Sequence, residues 1–141
     1  MNDVQLNNVA MWEWWVESDP TARWKVGFPL TSLGAMSLGM VYMNIDPGQA
    51  VAVHQDNGEE VVVVLVGNVE AWIGDAHMTV GPGGTALIPA MVSHRFRNVG
   101  TELARIVGFL DSTAAAATFE EPVMPFNQTV MAAPSATAAG G

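Results

Sequence analysis

The sequence contains no cysteine, and this absence excludes several kinds of chemistry. Without cysteine the chain has no disulfide framework, no thiolate metal site and no cysteine nucleophile. Any metal site must therefore use histidine and carboxylate ligands. The chain of 141 residues has the length of one domain and can bury a core without covalent support.

Basic residues are also scarce. Five Lys and Arg stand against 14 Asp and Glu, which gives a formal net charge of −9. Binding to nucleic acid or to an anionic membrane surface needs a basic face, so we predict neither partner. Only 13% of the residues are charged while 50% are hydrophobic. This balance favours a homodimer in which a second copy covers apolar surface.

The sequence lacks the features of membrane insertion and export. No apolar run approaches the roughly 20 residues that a transmembrane helix needs. The N-terminal segment has no basic stretch followed by an apolar one, as a signal peptide would. We therefore expect a cytoplasmic protein.

Short β-strands separated by turn residues are predicted along most of the chain. The predicted strands are residues 22–28, 35–45, 49–55, 60–66, 69–73, 77–80, 85–88, 94–99 and 104–110. Short strands broken by Gly, Pro, Asn and Asp are typical of an all-β sandwich or barrel. The unbroken apolar run from Val61 to Leu65 favours a strand covered on both faces, by a second sheet or by a partner subunit.

The two ends of the chain differ from this body. Residues 1–20 are predicted to form a tryptophan-rich arm that packs on the domain or on a partner, unless one of its tryptophans lines a pocket. Residues 21–126 are predicted to form the barrel domain. Within it, 112–118 suggests one helical turn, and the two prolines of 119–126 exclude a regular helix there. The apolar residues of 119–126 are expected to cover the mouth or edge of the barrel. Residues 127–141 are predicted to be a flexible tail.

Residues 47–67 carry three of the four candidate site residues. His54 and Asp56 are two apart on a predicted strand, so their side chains face the same way. The pair Asn57-Gly58 is a strong hairpin signal and would bring Glu60 opposite them. His94, in residues 83–98, joins this group only through a long-range contact. His77 follows Gly74-Asp75 in a predicted hairpin and is expected at the surface.

These two stretches resemble the paired motifs of the cupin superfamily. In the first stretch the motif positions are Gly48, His54, Asp56, Glu60 and Gly67. In the second they are Gly83, Pro89, His94 and Asn98. Two residues depart from the pattern: Asp56 stands where a second histidine is expected, and Met91 stands where a second glycine is expected.

The resemblance covers roughly residues 35–110 and implies a cupin-type jelly-roll β-barrel. It implies that His54, Glu60 and His94 occupy metal-ligand positions and that Asp56 occupies the fourth. By the same resemblance, Gly67, Pro89 and Asn98 shape turns and strand ends.

The role of Asp56 is open at this stage. If Asp56 does not bind the metal, two histidines and one carboxylate remain, a set that suits Fe(II) and oxygen chemistry. If it binds, the harder and more anionic set favours Mn(II) or Fe(II), with Zn(II) or Ni(II) as alternatives. It could instead act as a general base beside the metal, or the site could bind no metal at all.

Four apolar residues are candidates for a substrate-binding wall: Met43, Trp72, Met91 and Phe96. For each of them plain core is the favoured alternative, because apolar residues that face inward in a small barrel normally fill it. The predicted function is a metal-dependent enzyme, of dioxygenase type, that acts on a small apolar or aromatic molecule, with Asp56 and Glu60 as catalytic candidates. One alternative is a non-redox isomerase, cyclase or lyase that resembles cupin polyketide cyclases and in which Asp56 or Glu60 moves a proton. Another is a non-catalytic ligand-binding cupin.

Overall fold

The computed structural model describes residues 3–31, 33–35, 37–111 and 115–132. A 3₁₀ turn at Leu6–Asn8 is the only helical element in these ranges, and no helix there is long and apolar enough to cross a membrane. The strands are β1 (Trp12–Val16), β2 (Asp19–Gly27), β3 (Gly39–Ile45), β4 (Ala50–Asp56), β5 (Glu60–Val66), β6 (Val69–Ile73), β7 (Ala76–Val80), β8 (Thr85–Ile88), β9 (His94–Asn98), β10 (Ala104–Leu110), β11 (Ala116–Met124) and β12 (Gln128–Ala132).

The strands pair into one sheet that curls into a jelly-roll β-barrel, as predicted. Their order is β7-β6-β9-β4-β11-β1-β2-β3-β10-β5-β8, and β12 pairs with β11. Many neighbours in the sheet, such as β4 with β9 and β3 with β10, are distant in sequence. Such crossover connections are characteristic of jelly rolls. Each of the nine predicted strands is present, with its ends shifted by up to four residues.

The core lies inside the barrel and is filled by alternate residues of the strands. Along β5, Val62 and Val64 are buried, whereas Val61 and Leu65 are 39% and 40% exposed. In this single chain the strand is therefore covered on one face only. On the outer face, Val61 pairs with Leu87 of β8 and with Phe109 of β10, which are also exposed. A second copy would cover this apolar face, and the homodimer stays a prediction.

The predicted hairpin between residues 49–55 and 60–66 is wrong. β4 pairs with β9 on one edge and β11 on the other, while β5 pairs with β8 and β10. Both edges of each strand are thus occupied, and the two strands cannot pair with each other. Asn57 instead exchanges two hydrogen bonds of 3.0 Å with Ala116 at the start of β11. The Asn57-Gly58 turn leads the chain from one part of the barrel to another.

The ends of the chain contribute more strands than predicted. β1, in the predicted arm, pairs with β2 and β11 and is part of the sheet. Residues 116–118, in the suggested helical turn, begin β11, while 112–114 lie outside the described residues. Residues 128–132 form β12, so the predicted tail starts later than residue 127. Residues 133–141 also lie outside the described part of the chain.

Candidate metal centre

Three buried side chains converge inside the barrel: His54 and Asp56 of β4 and His94 of β9. One nitrogen or oxygen atom from each lies within 4.8 Å of the other two. The antiparallel pairing of β4 with β9 sets His54 directly opposite His94. Strand alternation places Asp56 on the same face as His54. The three residues are only 8%, 8% and 1% exposed, so the cluster is shielded from bulk water.

The tautomers of both histidines follow from their backbone contacts. Nδ1 of His54 lies 2.8 Å from the carbonyl oxygen of Ala52, and Nδ1 of His94 lies 2.9 Å from that of Val92. A carbonyl oxygen can only accept, so each Nδ1 carries the hydrogen and donates it. Each neutral ring therefore keeps a lone pair on Nε2. This arrangement is the one in which protein histidines bind metal ions.

The cluster contains two buried polar atoms without a hydrogen-bond partner. Nε2 of His94 and Oδ2 of Asp56 lie 3.3 Å apart, and both lack a partner. Buried polar atoms almost always have one. When His94 is neutral, its nitrogen lone pair faces a carboxylate oxygen, an arrangement that is repulsive unless a proton or a metal cation lies between the two atoms. A divalent ion would satisfy both atoms, so these residues fit a metal centre.

Glu60, the first residue of β5, lies beside this cluster. Its side chain is buried, its Oε1 is 3.7 Å from Nε2 of His94, and it shares a hydrogen bond with Asp56. The structure therefore brings all four predicted ligands together, but the converging set is His54, Asp56 and His94. The individual ligand roles stay predictions.

Burial and mutual contacts shift the protonation of these groups. Burial, and to a smaller extent the neighbouring His94, lowers the pKa of His54 to about 4. Burial, reinforced by Asp56, raises the pKa of Glu60 well above its ordinary value. Burial also raises the pKa of Asp56, but contacts with His94 and His54 outweigh it and hold this pKa below its ordinary value. In the metal-free protein a proton held by this carboxyl pair therefore lies on Glu60 rather than on Asp56.

These shifts predict how Glu60→Gln changes the pH dependence of stability in chelator-treated protein. Because the folded-state pKa of Glu60 lies above the unfolded value near 4.5, its contribution to stability declines as the pH rises above 4.5. Glutamine cannot titrate, so the free energy of unfolding of the variant should gain on that of wild type between pH 4.5 and 8. Each pKa unit corresponds to about 1.4 kcal/mol, which urea titrations at the two pH values resolve.

His54 is present in both proteins and acts in the opposite direction, because its stabilising contribution is lost as the pH falls from 6.5 towards 4. Comparing the two proteins at each pH removes this contribution. A stability difference that does not change between pH 4.5 and 8 would contradict the raised pKa of Glu60.

An apolar cavity opens above the cluster, with about 580 Å³ of empty space including its mouth. His54, Asp56 and Glu60 are among the residues that line it. The ring of His54 stacks on Phe119 at 4.7 Å between centroids, and Phe119 stacks on Trp24 at 5.7 Å. Trp14 lies edge-on to Trp24 at 6.2 Å. The cavity thus has aromatic walls that lead to the candidate ligands.

Two of the four predicted wall residues line this cavity, Met43 and Phe96. The other two, Trp72 and Met91, lie elsewhere. In the pairing of β6 with β9, Trp72 is opposite Arg95 and therefore shares its outward face. The Arg95 guanidinium lies 4.1 Å from the Trp72 ring centre. Met91 lies in the turn before β9 and is 57% exposed.

Sequence reasoning missed the aromatic walls contributed by β1 and β11. Trp14 and Phe119 line the cavity because β11 lies between β4 and β1 in the sheet. The spacing of Trp12 and Trp14, two apart as on one face of a strand, was the available signal. For the N-terminal arm, the alternative was that one of its tryptophans lines a pocket, and Trp14 does so.

Comparison with known proteins assigns the family. A family profile described as Cupin domain matches residues 41–110, which run from within β3 to the end of β10 and contain all four candidate ligands. The chain belongs to the cupin superfamily. It is 36% identical to protein SchB of Streptomyces halstedii over 85 residues. This match covers 60% of the cupin chain and 62% of SchB, less than two thirds of that relative.

Solved structures share the cupin fold at low sequence identity. The polyketide cyclase RemF of Streptomyces resistomycificus matches with a TM-score of 0.64 and 21% identity, over 78% of each chain. The oxalate decarboxylase of Bacillus subtilis, a protein with Mn(II) centres, matches with a TM-score of 0.57 and 12% identity. That match covers 70% of this chain and 28% of the decarboxylase. At these identities the likeness concerns the fold.

Other residues of the cupin motifs lie outside the cluster and shape turns and strand ends, as the resemblance implied. The Asn98 amide nitrogen donates to the carbonyl oxygens of Ile45 and Glu102, at 2.8 Å each. Gly67 has a φ of 87°, which suits glycine. Met91, at a glycine position of the motif, has a φ of 63°, and its N–H donates to the carbonyl oxygen of Asp56 at 2.7 Å. This backbone contact ties the turn before β9 to the end of β4.

Proposed function

We propose that this cupin is a metal-dependent enzyme that acts on a small, uncharged, aromatic molecule. The observation that carries the proposal is the aromatic cavity that ends on buried His and carboxylate side chains. Ligand sites of enzymes are typically apolar cavities with a few convergent polar groups. Among the described residues that line the cavity there is no lysine or arginine, which disfavours an anionic substrate.

His54, Asp56 and His94 would hold the metal ion. Two imidazoles and a carboxylate suit Fe(II) or Mn(II), with Zn(II) and Ni(II) as alternatives. The Mn(II) centres of the structurally similar oxalate decarboxylase support this preference. A bound ion of this kind supplies Lewis acidity towards a carbonyl or hydroxyl oxygen and, if redox-active, reactivity with dioxygen.

The reaction class that the geometry favours is non-redox proton transfer, as in an isomerase or cyclase. Glu60 is a buried carboxyl that lines the cavity and shares a hydrogen bond with Asp56. In its carboxylate form, made more basic by its raised pKa, Glu60 can take a proton from a carbon next to a carbonyl and then, as the acid, return it to oxygen or carbon. The fold similarity to the polyketide cyclase RemF supports this class. We assign the metal to Asp56 and the proton to Glu60.

A dioxygenase is the second candidate. It is favoured by the composition of the converging set, two histidines and one carboxylate, which is the set of many non-haem Fe(II) oxygenases. In that case the substrate would be an aromatic diol or a diketone, and Glu60 would serve to hold the site rather than to move a proton.

Deuterium exchange and oxygen uptake distinguish the candidates. We expect the Mn(II)-loaded protein to accelerate exchange at the carbon next to the carbonyl of 1-tetralone in D2O, by at least about tenfold over Mn(II) in buffer. NMR measures the exchange, and the chelator-treated protein is the control. Oxygen uptake by the Fe(II)-loaded protein with 2,3-dihydroxynaphthalene, without such exchange, would favour the dioxygenase. Neither activity with any of the four metals would overturn the enzyme proposal.

A further inference from the structure

Two residues of β11 that pair with candidate ligands of β4 differ greatly in size. In the antiparallel pairing of these strands, Phe119 lies opposite His54 and Ala117 lies opposite Asp56. Directly opposite residues share a face of the sheet and lie close together. Phe119 and Ala117 both line the cavity. The side chain that β11 offers is therefore large beside His54 and small beside Asp56.

The large side chain is held in place by its neighbours. Phe119 is 5% exposed and stacks on both His54 and Trp24, with interplanar angles of 22° and 21°. A bound molecule could displace this ring only by breaking both contacts. The free approach to the cluster along β11 therefore passes over Ala117.

The same row of residues continues to the edge of the sheet. On its other side Ala117 lies opposite Met131 of β12, a strand that pairs with no other of the described strands than β11. Met131 lines the cavity and is partly buried, whereas the other four residues of β12 are exposed. Methionine is unbranched and flexible, so its side chain can adapt to a bound molecule. The row Asp56, Ala117 and Met131 thus joins the cluster to the edge of the sheet.

Alanine at position 117 leaves space next to an unsatisfied polar atom. Inward-facing residues of a small barrel normally fill it, so a small one in a cavity wall needs a reason. Oδ2 of the neighbouring Asp56 is buried and has no hydrogen-bond partner among the described residues. Asp56 itself is 8% exposed and lines the cavity. The space over Ala117 therefore leads to a polar site that is ready for a ligand.

We propose that Ala117 is a specificity-determining residue, which leaves room for a neutral aromatic ketone with two fused rings to bring its oxygen to the cluster beside Asp56. A neutral ligand agrees with the lack of lysine and arginine among the described residues that line the cavity. The cavity of about 580 Å³ including its mouth lies within the roughly 300–1,000 Å³ that is usual for small-molecule sites. This inference rests on the proposed function for the class of ligand, but it concerns binding and not turnover.

The test is Ala117→Leu, measured by binding of 1-tetralone to chelator-treated protein. The titration is followed by NMR of protein labelled with ¹³C in its methionine methyl groups, because Met43 and Met131 line the cavity. In wild type we expect saturable shifts of both signals. Leucine should weaken binding by at least about tenfold, because its added carbons fill the space beside Asp56 and a single methylene in an apolar pocket already has an effect of that size.

Thr118→Leu is the matched control. Thr118 is the next residue of the same strand, is exposed and faces the other way, so its replacement adds bulk outside the cavity. This variant should bind 1-tetralone as wild type does. Ala117→Leu should also keep the Mn(II) affinity of wild type, because alanine offers no ligand atom. The proposal would be overturned by absence of saturable shifts in wild type, by unchanged binding in Ala117→Leu, by an equal loss in Thr118→Leu, or by a joint loss of ketone and metal.

Further variants address folding and space. In Ala117→Leu/Met131→Ala the residue opposite position 117 is shortened, which returns space to the cavity, so ketone binding should recover relative to Ala117→Leu. If Ala117→Leu does not fold, as judged by circular dichroism, Ala117→Val takes its place with the same expectation, since valine suits strands. If that variant also fails to fold, position 117 is plain core and the proposal is wrong. A protein that binds 1-tetralone without exchanging its hydrogens would contradict the proposed function and leave this inference standing.

Discussion

Replacing His94 with alanine is expected to lower the affinity for Mn(II) and Fe(II) by more than about 100-fold, because replacing even a residue that only hydrogen-bonds to a metal ligand costs about 10- to 100-fold. His94 is 1% exposed and contributes a lone pair at the centre of the candidate site. Its removal leaves one imidazole and carboxylates, and the preorganisation set by the Nδ1 contact to Val92 is lost. Isothermal titration calorimetry at neutral pH, where His54 is unprotonated, measures the effect.

His77→Ala is the matched control for this loss. The side chain of His77 is 52% exposed, contacts Glu70 at 2.9 Å and stacks on Trp72. Its strand β7 is separated from β9, which carries His94, by β6, and its exposed side chain does not enter the buried cluster. It should bind metal as wild type does. Metal affinity that survives in His94→Ala, or falls equally in both variants, would show that the barrel cluster is not the metal centre. Thermal melting of the metal-free proteins checks that the loss does not arise from unfolding.

The spacing of residues along one strand predicted the part of the candidate site that a single strand determines. The alternation of a strand is a property of the backbone, so the shared face of His54 and Asp56 could be read from their spacing. Glu60 was placed near them for a wrong reason, since β4 and β5 do not form a hairpin. The turn signal of Asn57-Gly58 describes a local reversal, and the same reversal can lead to another part of the barrel.

Features that depend on strand order could not be read from the sequence. Trp14 and Phe119 form the cavity wall because β1 and β11 are neighbours, although the two strands are about a hundred residues apart in the chain. Trp72 was predicted in the wall, but its direction depends on the register between β6 and β9. Nor does the sequence show that Gly108 of β10 lies so close to the Glu60 carboxyl that a Cβ atom at position 108 would overlap it, because β5 and β10 are distant in the chain. Long-range pairing thus determines which apolar residues form the cavity.

The substitution Asp56→Asn is expected to change the metal-free and metal-bound proteins in opposite directions. An asparagine amide at this position can donate to Nε2 of His94 across the present 3.3 Å separation and still accept from Glu60. Two buried atoms that now lack partners would then be paired. Because an unsatisfied buried group costs about 1–3 kcal/mol, the metal-free variant should gain stability of that order in urea titration.

The same amide should lower metal affinity by more than about 100-fold, because it removes a charged ligand and occupies the lone pair that His94 would offer to the ion. Asp56→His, which restores a ligand at the position where the superfamily pattern has one, should keep the metal. If Asp56→Asn instead binds metal as wild type does but loses deuterium exchange, Asp56 is the base and our division of roles between Asp56 and Glu60 is wrong. The variants Asp56→Asn and Asp56→His therefore decide whether aspartate in place of histidine at position 56 changes the ligand set or the proton chemistry. Only if Asp56 is a ligand should Asp56→Asn both stabilise the metal-free protein and lower its metal affinity.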